Sequence, residues 1–250
     1  YRSNPPIGPE GDYFTSPTAH PVFGALLTVQ LRQMWEVLGK PTTFTVVEVG
    51  AGNGILARDI AEATESTDPD FSRALRYVSI DYSAKIKLPS GAQRIAAANL
   101  PIQGLVGCIL TNELMDSFPV HRFQVQNGSI QEVFVDLSGA EFVEVLQEPS
   151  TSIITGRVRM ATSEELPDGY KGEVSLLLGD WITEAASALE HGFVLTIDYG
   201  GTAMELDSPN REGGTLRCHY KHIVSSNPYI RVGRQDITAH VDFTALKDSG

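Results

Sequence analysis

Phe44-Thr45-Val46-Val47-Glu48-Val49, then Gly50-Ala51-Gly52-Asn53-Gly54, then Ile55-Leu56-Ala57-Arg58-Asp59-Ile60 is the stretch that decides the fold. The first run is β-branched and apolar on both faces, which predicts a strand buried on both sides within a parallel sheet. The apolar spacing from Ile55 to Ala63 predicts a helix, so the glycines lie where a strand hands over to a helix. Glycine there lets the backbone turn sharply and lets a ligand approach without meeting a β-carbon, while the helix amides face that ligand. The spacing then excludes one ligand class. A dinucleotide fingerprint G-x-G-x-x-G counted from Gly50 needs its third glycine at position 55, which is Ile55. The pattern is instead E-x-G-x-G-x-G, with Glu48 two residues before the first glycine. A buried acid would repel a pyrophosphate and would help to hold an ammonium. A ligand-free tight turn is the competing reading of the same glycines.

Outward from this stretch, Val22 to Leu38 carries apolar residues at three- and four-residue steps and predicts an amphipathic helix ended by Gly39 and Pro41. Tyr1 to Pro21, rich in Pro, Gly, Ser and Thr, reads as a loop or arm. Further short apolar strands are predicted at Leu75–Ile80, ending in Asp81, at Arg94–Ala98, and at Leu105–Leu110, ending in Thr111 and Asn112. The class is α/β with helices on both faces of a parallel sheet. Between Val120 and Met160 the strands alternate, and Asn127-Gly128 signals a hairpin, which predicts an antiparallel β insertion. A helix from Asp180, as its N-cap, to His191, closed by Gly192, and a strand Phe193–Asp198 resume the parallel pattern. The chain is predicted to form one domain, divided into an arm and helix (1–43), a cofactor-binding half (44–119), the β insertion (120–178) and the remaining core with substrate loops (179–250).

The 250 residues include 19 basic and 31 acidic side chains, for a net charge of −12. That balance argues against sequence-independent nucleic-acid binding and against an anionic membrane surface. Two cysteines, Cys108 and Cys218, supply neither a disulfide framework nor a metal-ligand spacing, so no metal and a reducing compartment are expected. No apolar run approaches the roughly 18 residues of a membrane span. Because the chain opens on Tyr1 and not on methionine, a native start is expected to have been removed, which leaves room for a targeting peptide removed with it.

Asp81 follows Gly54 by 27 residues, where an α/β cofactor fold needs a carboxylate for ribose hydroxyls, although a lone Asp at a strand end is more often a turn or cap residue. Ligands of open α/β sheets lie beyond the carboxyl ends of strands, which brings Asn112, Glu113 and Asp116 to the reacting centre. Carboxylates there can localise the charge of a guanidinium on one nitrogen and take a released proton. Asp116 reads equally well as a helix cap.

The pattern at Glu48–Gly54 is similar to the first motif of class I S-adenosylmethionine (SAM) methyltransferases. The whole chain resembles the MidA-like methyltransferase family through GDYFTSP (Gly11–Pro17), EVGAGNG (Glu48–Gly54), NELMDSFPVHRF (Asn112–Phe123), IDYG (Ile197–Gly200), GTLRC (Gly214–Cys218) and QDITAHVDF (Gln235–Phe243). Eukaryotic members of that family are mitochondrial complex I assembly factors that dimethylate an arginine of a complex I subunit. The resemblance implies a Rossmann-like methyltransferase sheet. It also implies that Glu48, Gly50, Gly52, Asn53 and Gly54 cradle SAM, that Asp81 holds its ribose, and that the arm with Thr15 and Ser16 folds over the cofactor. Asp198, Tyr199, Arg217 and His240, with Thr238 and Asp242, become wall residues of an acceptor pocket, although an isolated histidine is more often structural. Two departures stand out. Asp81 replaces an expected glutamate, and the family continues past the last motif, so the final antiparallel strands of the sheet are expected to be missing. The implied partner is a protein with an exposed arginine, and a homodimer is compatible. The implied location is the mitochondrial matrix in a eukaryote and the cytoplasm in a bacterium. Two other readings stay open: an assembly chaperone that binds the cofactor without turnover, and a nicotinamide dehydrogenase, which the glycine spacing disfavours. Residues 123 to 156 hold five acids and no Lys or Arg, which suggests a surface that steers an arginine-bearing segment.

Overall fold

A computed structural model describes residues 15–82, 88–161, 165–208, 211 and 213–250. Along the chain the elements are α1 (Ser16–Ala19), α2 (Val22–Val37), β1 (Phe44–Val49), α3 (Ile55–Thr67), α4 (Pro69–Ala74), β2 (Leu75–Asp81), β3 (Gln93–Ala96) and β4 (Leu105–Asn112). A single 3-10 turn, Met115–Ser117, leads into β5 (His121–Gln126), β6 (Ser129–Ser138), β7 (Glu141–Gln147), α5 (Ser152–Ala161), β8 (Lys171–Val174), α6 (Leu177–Ala188) and β9 (Leu189–Ile197). The last stretch holds β10 (Gly200–Gly201), α7 (Ala203–Leu206), β11 (Arg217–Tyr220), β12 (Ile223–Ser225), β13 (Asp236–Thr238), β14 (Val241–Asp242) and α8 (Phe243–Ser249). The described residues gather in two compact units, one within 15–114, 183–198 and 220–223 and one within 115–182, 199–219 and 224–250.

The first unit is built on a five-stranded sheet in the order β3-β2-β1-β4-β9, parallel throughout, as the apolar runs predict. In register, Val47 of β1 lies between Val78 and Ile109. Phe44 and Val46 pack with Leu31, Trp35, Leu56, Ile60 and Phe71 of the flanking helices. Trp35 and Phe71 meet with ring centroids 5.4 Å apart. Each such buried side chain contributes about 1.5–3 kcal/mol, which holds β1 firmly in the middle of the sheet.

Four elements depart from the sequence reading. Part of the arm is helical, as α1, and Asp68 starts the unforeseen α4 by accepting from the Asp70 and Phe71 amides, with Pro69 in the first turn. Helix α6 begins at Leu177, so Asp180 sits in its first turn instead of capping it, and β9 begins at Leu189 instead of Phe193. The cause is Gly192, which is a strand glycine and not a helix stop. It pairs with Gly107 of β4, and a β-carbon on it would lie 2.1 Å from the Gly107 carbonyl oxygen.

The second unit contains the antiparallel sheet β7-β6-β5-β8. Asn127 and Gly128, with φ of 51° and 70°, form the two-residue turn between β5 and β6. The segment 120–178 is not all strand, however. Helix α5 buries Ile154, Val158 and Ala161, spaced four and three residues apart, and the first two pack with Phe123, Val125 and Tyr170. A short run of isoleucine, threonine and valine does not by itself separate helix from strand, and burial of one helical stripe decides it here. In the same unit β11 pairs antiparallel with β13, and β10 pairs parallel with β14.

Candidate functional site

The glycine loop leaves β1 at the carboxyl edge of the sheet. Gly50, Gly52 and Gly54 have φ of 76°, 54° and 75°, a left-handed region that only glycine enters freely. A β-carbon on Gly50 would meet Leu114 Cδ1 at 2.9 Å, so the loop is also held close against the residue that follows Glu113. Gly54 is the N-cap of α3, and Asn53 Oδ1 accepts from the Ile55 amide. The Gly50 amide donates to the Ile80 carbonyl at 2.9 Å.

Asp81, at the end of β2, accepts from the Gly52 amide through Oδ2 at 3.0 Å. The carboxylate that the sequence assigns to a ribose therefore fixes the glycine loop in this structure. This bond crosses from one strand end to the next, and only the strand order makes it visible.

Glu48 is 4% exposed, and its Oε2 accepts the Tyr77 hydroxyl at 3.0 Å. Burial, opposed by the Tyr77 hydrogen bond and aided by the charge of Asp81, pushes its carboxyl up to about 8. At neutral pH it is a neutral acid hydrogen-bonded to Tyr77, whereas the sequence pattern predicts an anion available to an ammonium. The partner escaped that reading because Tyr77 faces Glu48 only through the parallel register in which Glu48 pairs with Ser79.

At the end of β4 the chain turns sharply. Glu113 has φ of 50°, and its amide donates to the Ile197 carbonyl at 2.9 Å. Its Oε1 accepts from the Ser16 amide at 3.3 Å, which ties α1 to this edge of the sheet. Its carboxyl is raised by burial first, against the Ser16 bond, with the nearby Asp198 charge adding to the rise and an Asn112 hydrogen bond opposing it. Asp198, just after β9, accepts from the Leu114 amide at 3.1 Å. Asn112 Oδ1 is buried and has no hydrogen-bond partner among the described residues, an open acceptor at the strand end. Thr15 is buried and caps α1 together with Thr18. Residues 11–14 of the predicted arm lie outside the described residues.

The remaining predicted residues belong to the second unit. Asp116 lies in the 3-10 turn, and its carbonyl accepts from the Ala239 amide at 2.9 Å. Tyr199 is 56% exposed, with its carbonyl accepting from the Val241 amide. Arg217 is exposed and donates to the Leu216 carbonyl, while the His240 amide donates to Thr215 Oγ1 at 3.0 Å. Of the five acids in 123–156, Glu144 is engaged by Arg122 and Lys171, and Glu132 by His121 and the Ser150 amide, so two of them do not project charge outward. Among the described residues no group of three or more His, Cys, Asp or Glu could hold a metal, and no helix is long and apolar enough to cross a membrane.

The residue types at the sheet edge suit SAM: flexible backbone at the loop, an acid at the end of β2, an open acceptor at Asn112 and a carboxyl at Glu113. A family model for S-adenosyl-L-methionine-dependent methyltransferases matches residues 26–250. The chain belongs to that family. Among related proteins, the mitochondrial protein arginine methyltransferase NDUFAF7 homolog of Drosophila melanogaster is 27% identical over 99% of this chain and 62% of its own length. Human mitochondrial protein arginine methyltransferase NDUFAF7 is 29% identical over 96% of this chain and 59% of its own. The chain thus spans about three fifths of these relatives. A Burkholderia thailandensis crystal structure, bound to S-adenosyl-homocysteine, superposes with a TM-score of 0.87 at 26% identity, covering 98% of this chain and 65% of that one.

Proposed function

We propose that this chain carries the cofactor site of a SAM-dependent protein arginine methyltransferase. The observation that carries the reading is the left-handed loop Gly50–Gly54 between β1 and α3, pinned by the Gly52 amide to Asp81. Bound SAM supplies an electrophilic methyl on sulfonium. In this reading the loop backbone gives the methionyl end close approach, Asp81 serves both the loop and the ribose, and Glu48 on Tyr77 is an internal brace. Asn112 Oδ1 is the acceptor open to an N–H group.

Glu113 takes the central chemical role. A guanidinium is fully protonated near neutral pH and a poor nucleophile, so a carboxylate must hold its charge on one side and accept the proton released as the N–C bond forms. Burial lifts the affinity of Glu113 for that proton, and the Ser16 amide fixes the direction of Oε1. Arginine as the acceptor rests on the names of the related proteins, and the substrate class is a protein with an exposed arginine. The related proteins are named as mitochondrial, and the reading extends this to the mitochondrial matrix for a eukaryotic source and the cytoplasm for a bacterial one.

The test compares cells with and without the gene after labelling with isotopically marked methyl donor. Mass spectrometry should find an arginine peptide that carries the label only when the wild-type gene is present and loses it with Glu113→Ala. An arginine methylome unchanged by deletion would overturn the assignment.

A further inference from the structure

Glu113 owes its position to the strand beside its own. Strands β4 and β9 run parallel with Asn112 opposite Ile197, and one pair earlier the Thr111 hydroxyl donates to Thr196 Oγ1 at 3.3 Å. Glu113 and Asp198 therefore leave two neighbouring strand ends side by side. There the backbone of Glu113 turns into the left-handed region, with φ of 50°. That conformation is unfavourable for a residue with a β-carbon and persists only where the surroundings fix it.

Two successive amides are held across the strand ends. The Glu113 amide donates to the Ile197 carbonyl at 2.9 Å, and the Leu114 amide donates to Asp198 Oδ2 at 3.1 Å. The first bond extends the sheet ladder and needs only backbone. The second needs a side-chain acceptor at position 198, and an ionised carboxyl makes a stronger bond there than a neutral group. A β-carbon on Gly50 would meet Leu114 Cδ1 at 2.9 Å, so the bond that holds Leu114 also seats it against the glycine loop.

We infer that Asp198 is a positioning residue for Glu113, holding the turn that aims the Glu113 carboxyl and setting a second negative charge beside it. The inference deepens the reading of Glu113 as the group that takes the acceptor's proton, and it rests on that reading for its use. The pairing of the two acids rests on the strand ends alone.

Among the described residues, the groups that act on the Glu113 carboxyl are the Ser16 amide from α1, the Asn112 side chain from β4 and Asp198 from beyond β9. Of these only Asp198 is ionisable. The two hydrogen bonds favour the charged carboxylate, whereas burial and the Asp198 charge oppose it. The hydrogen bonds thus give Glu113 its direction, and Asp198 keeps the carboxylate from being so well satisfied that it no longer accepts a proton. An asparagine at 198 would hold the Leu114 amide equally well but would supply no charge, which separates the two parts of the role.

The experiment follows the side-chain carboxyl of Glu113 by NMR in the whole chain carrying 13C-labelled glutamate, with its signal assigned by its loss in Glu113→Gln. Hydrogen exchange of the Leu114 amide is read on 15N-labelled protein, and SAM affinity is measured by calorimetry in parallel. In Asp198→Asn the Glu113 titration should move to lower pH, while the Leu114 amide stays protected to within about threefold because the asparagine carbonyl still accepts. In Asp198→Ala the titration should also move to lower pH, and the Leu114 amide should exchange about tenfold faster or more. A purely structural aspartate would change exchange in Asp198→Ala without moving the titration in Asp198→Asn. A Glu113 titration that is unmoved or moves upward in Asp198→Asn, or an unchanged Leu114 exchange rate in Asp198→Ala, would overturn the inference. The expected shifts in a chain that binds no SAM uphold the pairing and reject the methyltransferase reading. SAM binding by wild type with an unmoved titration rejects the pairing alone.

Discussion

Replacing Glu48 with glutamine separates a neutral brace from a working anion. The wild-type carboxyl is 4% exposed and raised from an ordinary 4.5 to about 8, chiefly by burial. Between those values the folded protein keeps a proton that the unfolded chain has released, so stability falls as pH rises through the window and levels off above it. From pH 5 to pH 7.5 this one group should cost wild type about 3 kcal/mol, at about 1.4 kcal/mol per unit. Glutamine does not titrate, and its carbonyl can still accept from the Tyr77 hydroxyl, so Glu48→Gln should match wild type within about 1 kcal/mol at pH 5. At pH 7.5 the variant should be the more stable protein by about 2–4 kcal/mol. Asp207, which burial pushes up to about 7, titrates in an overlapping range but does so in both proteins and cancels in the difference. Urea denaturation at the two pH values reads this directly. Curves that stay parallel, or a variant less stable at pH 7.5 than at pH 5 relative to wild type, would refute the placement of Glu48 as a buried neutral acid.

Other outcomes follow from single contacts. Gly192→Ala puts a methyl 2.1 Å from the Gly107 carbonyl, so the β4–β9 pairing should open and the melting transition fall by at least about 3 kcal/mol equivalent, or soluble protein should be lost. Gly50→Ala meets Leu114 Cδ1 at 2.9 Å in a left-handed conformation and should cost about 1–3 kcal/mol, with SAM affinity reduced in calorimetry. Glu113→Gln keeps the size of the side chain but not its charge. SAM affinity should hold within about threefold while methyl transfer to arginine falls roughly a hundredfold or more, the scale of a lost general base.

Much of the fold was legible because α/β sheets write themselves as short apolar runs. Phe44–Val49 and Leu105–Leu110 could be little else, and the Asn127-Gly128 turn specified its hairpin outright. Helix α5 was hidden because Ser152–Ala161 lacks the length and polar contrast that separate a helix from a strand. Gly192 misled because a glycine that stops a helix and a glycine that lets two strands approach look identical in one dimension. Within the candidate site, the strand-end positions of the glycines, Asp81 and Asn112-Glu113 were readable from the apolar runs that precede them. The contacts between motifs were not: Tyr77 on Glu48, the Gly52 amide on Asp81 and Ser16 on Glu113 all depend on strand order and register.

Whether the loop Gly50–Gly54 with Asp81 holds SAM is read by calorimetric titration of SAM into the wild-type chain and into Gly52→Val. Wild type should bind SAM in the micromolar range, Gly52→Val should show no measurable binding with its fold intact by circular dichroism, and NADH should give no heat with either protein. Wild type silent toward SAM, or Gly52→Val binding it as tightly as wild type, would rule out this loop as the SAM site.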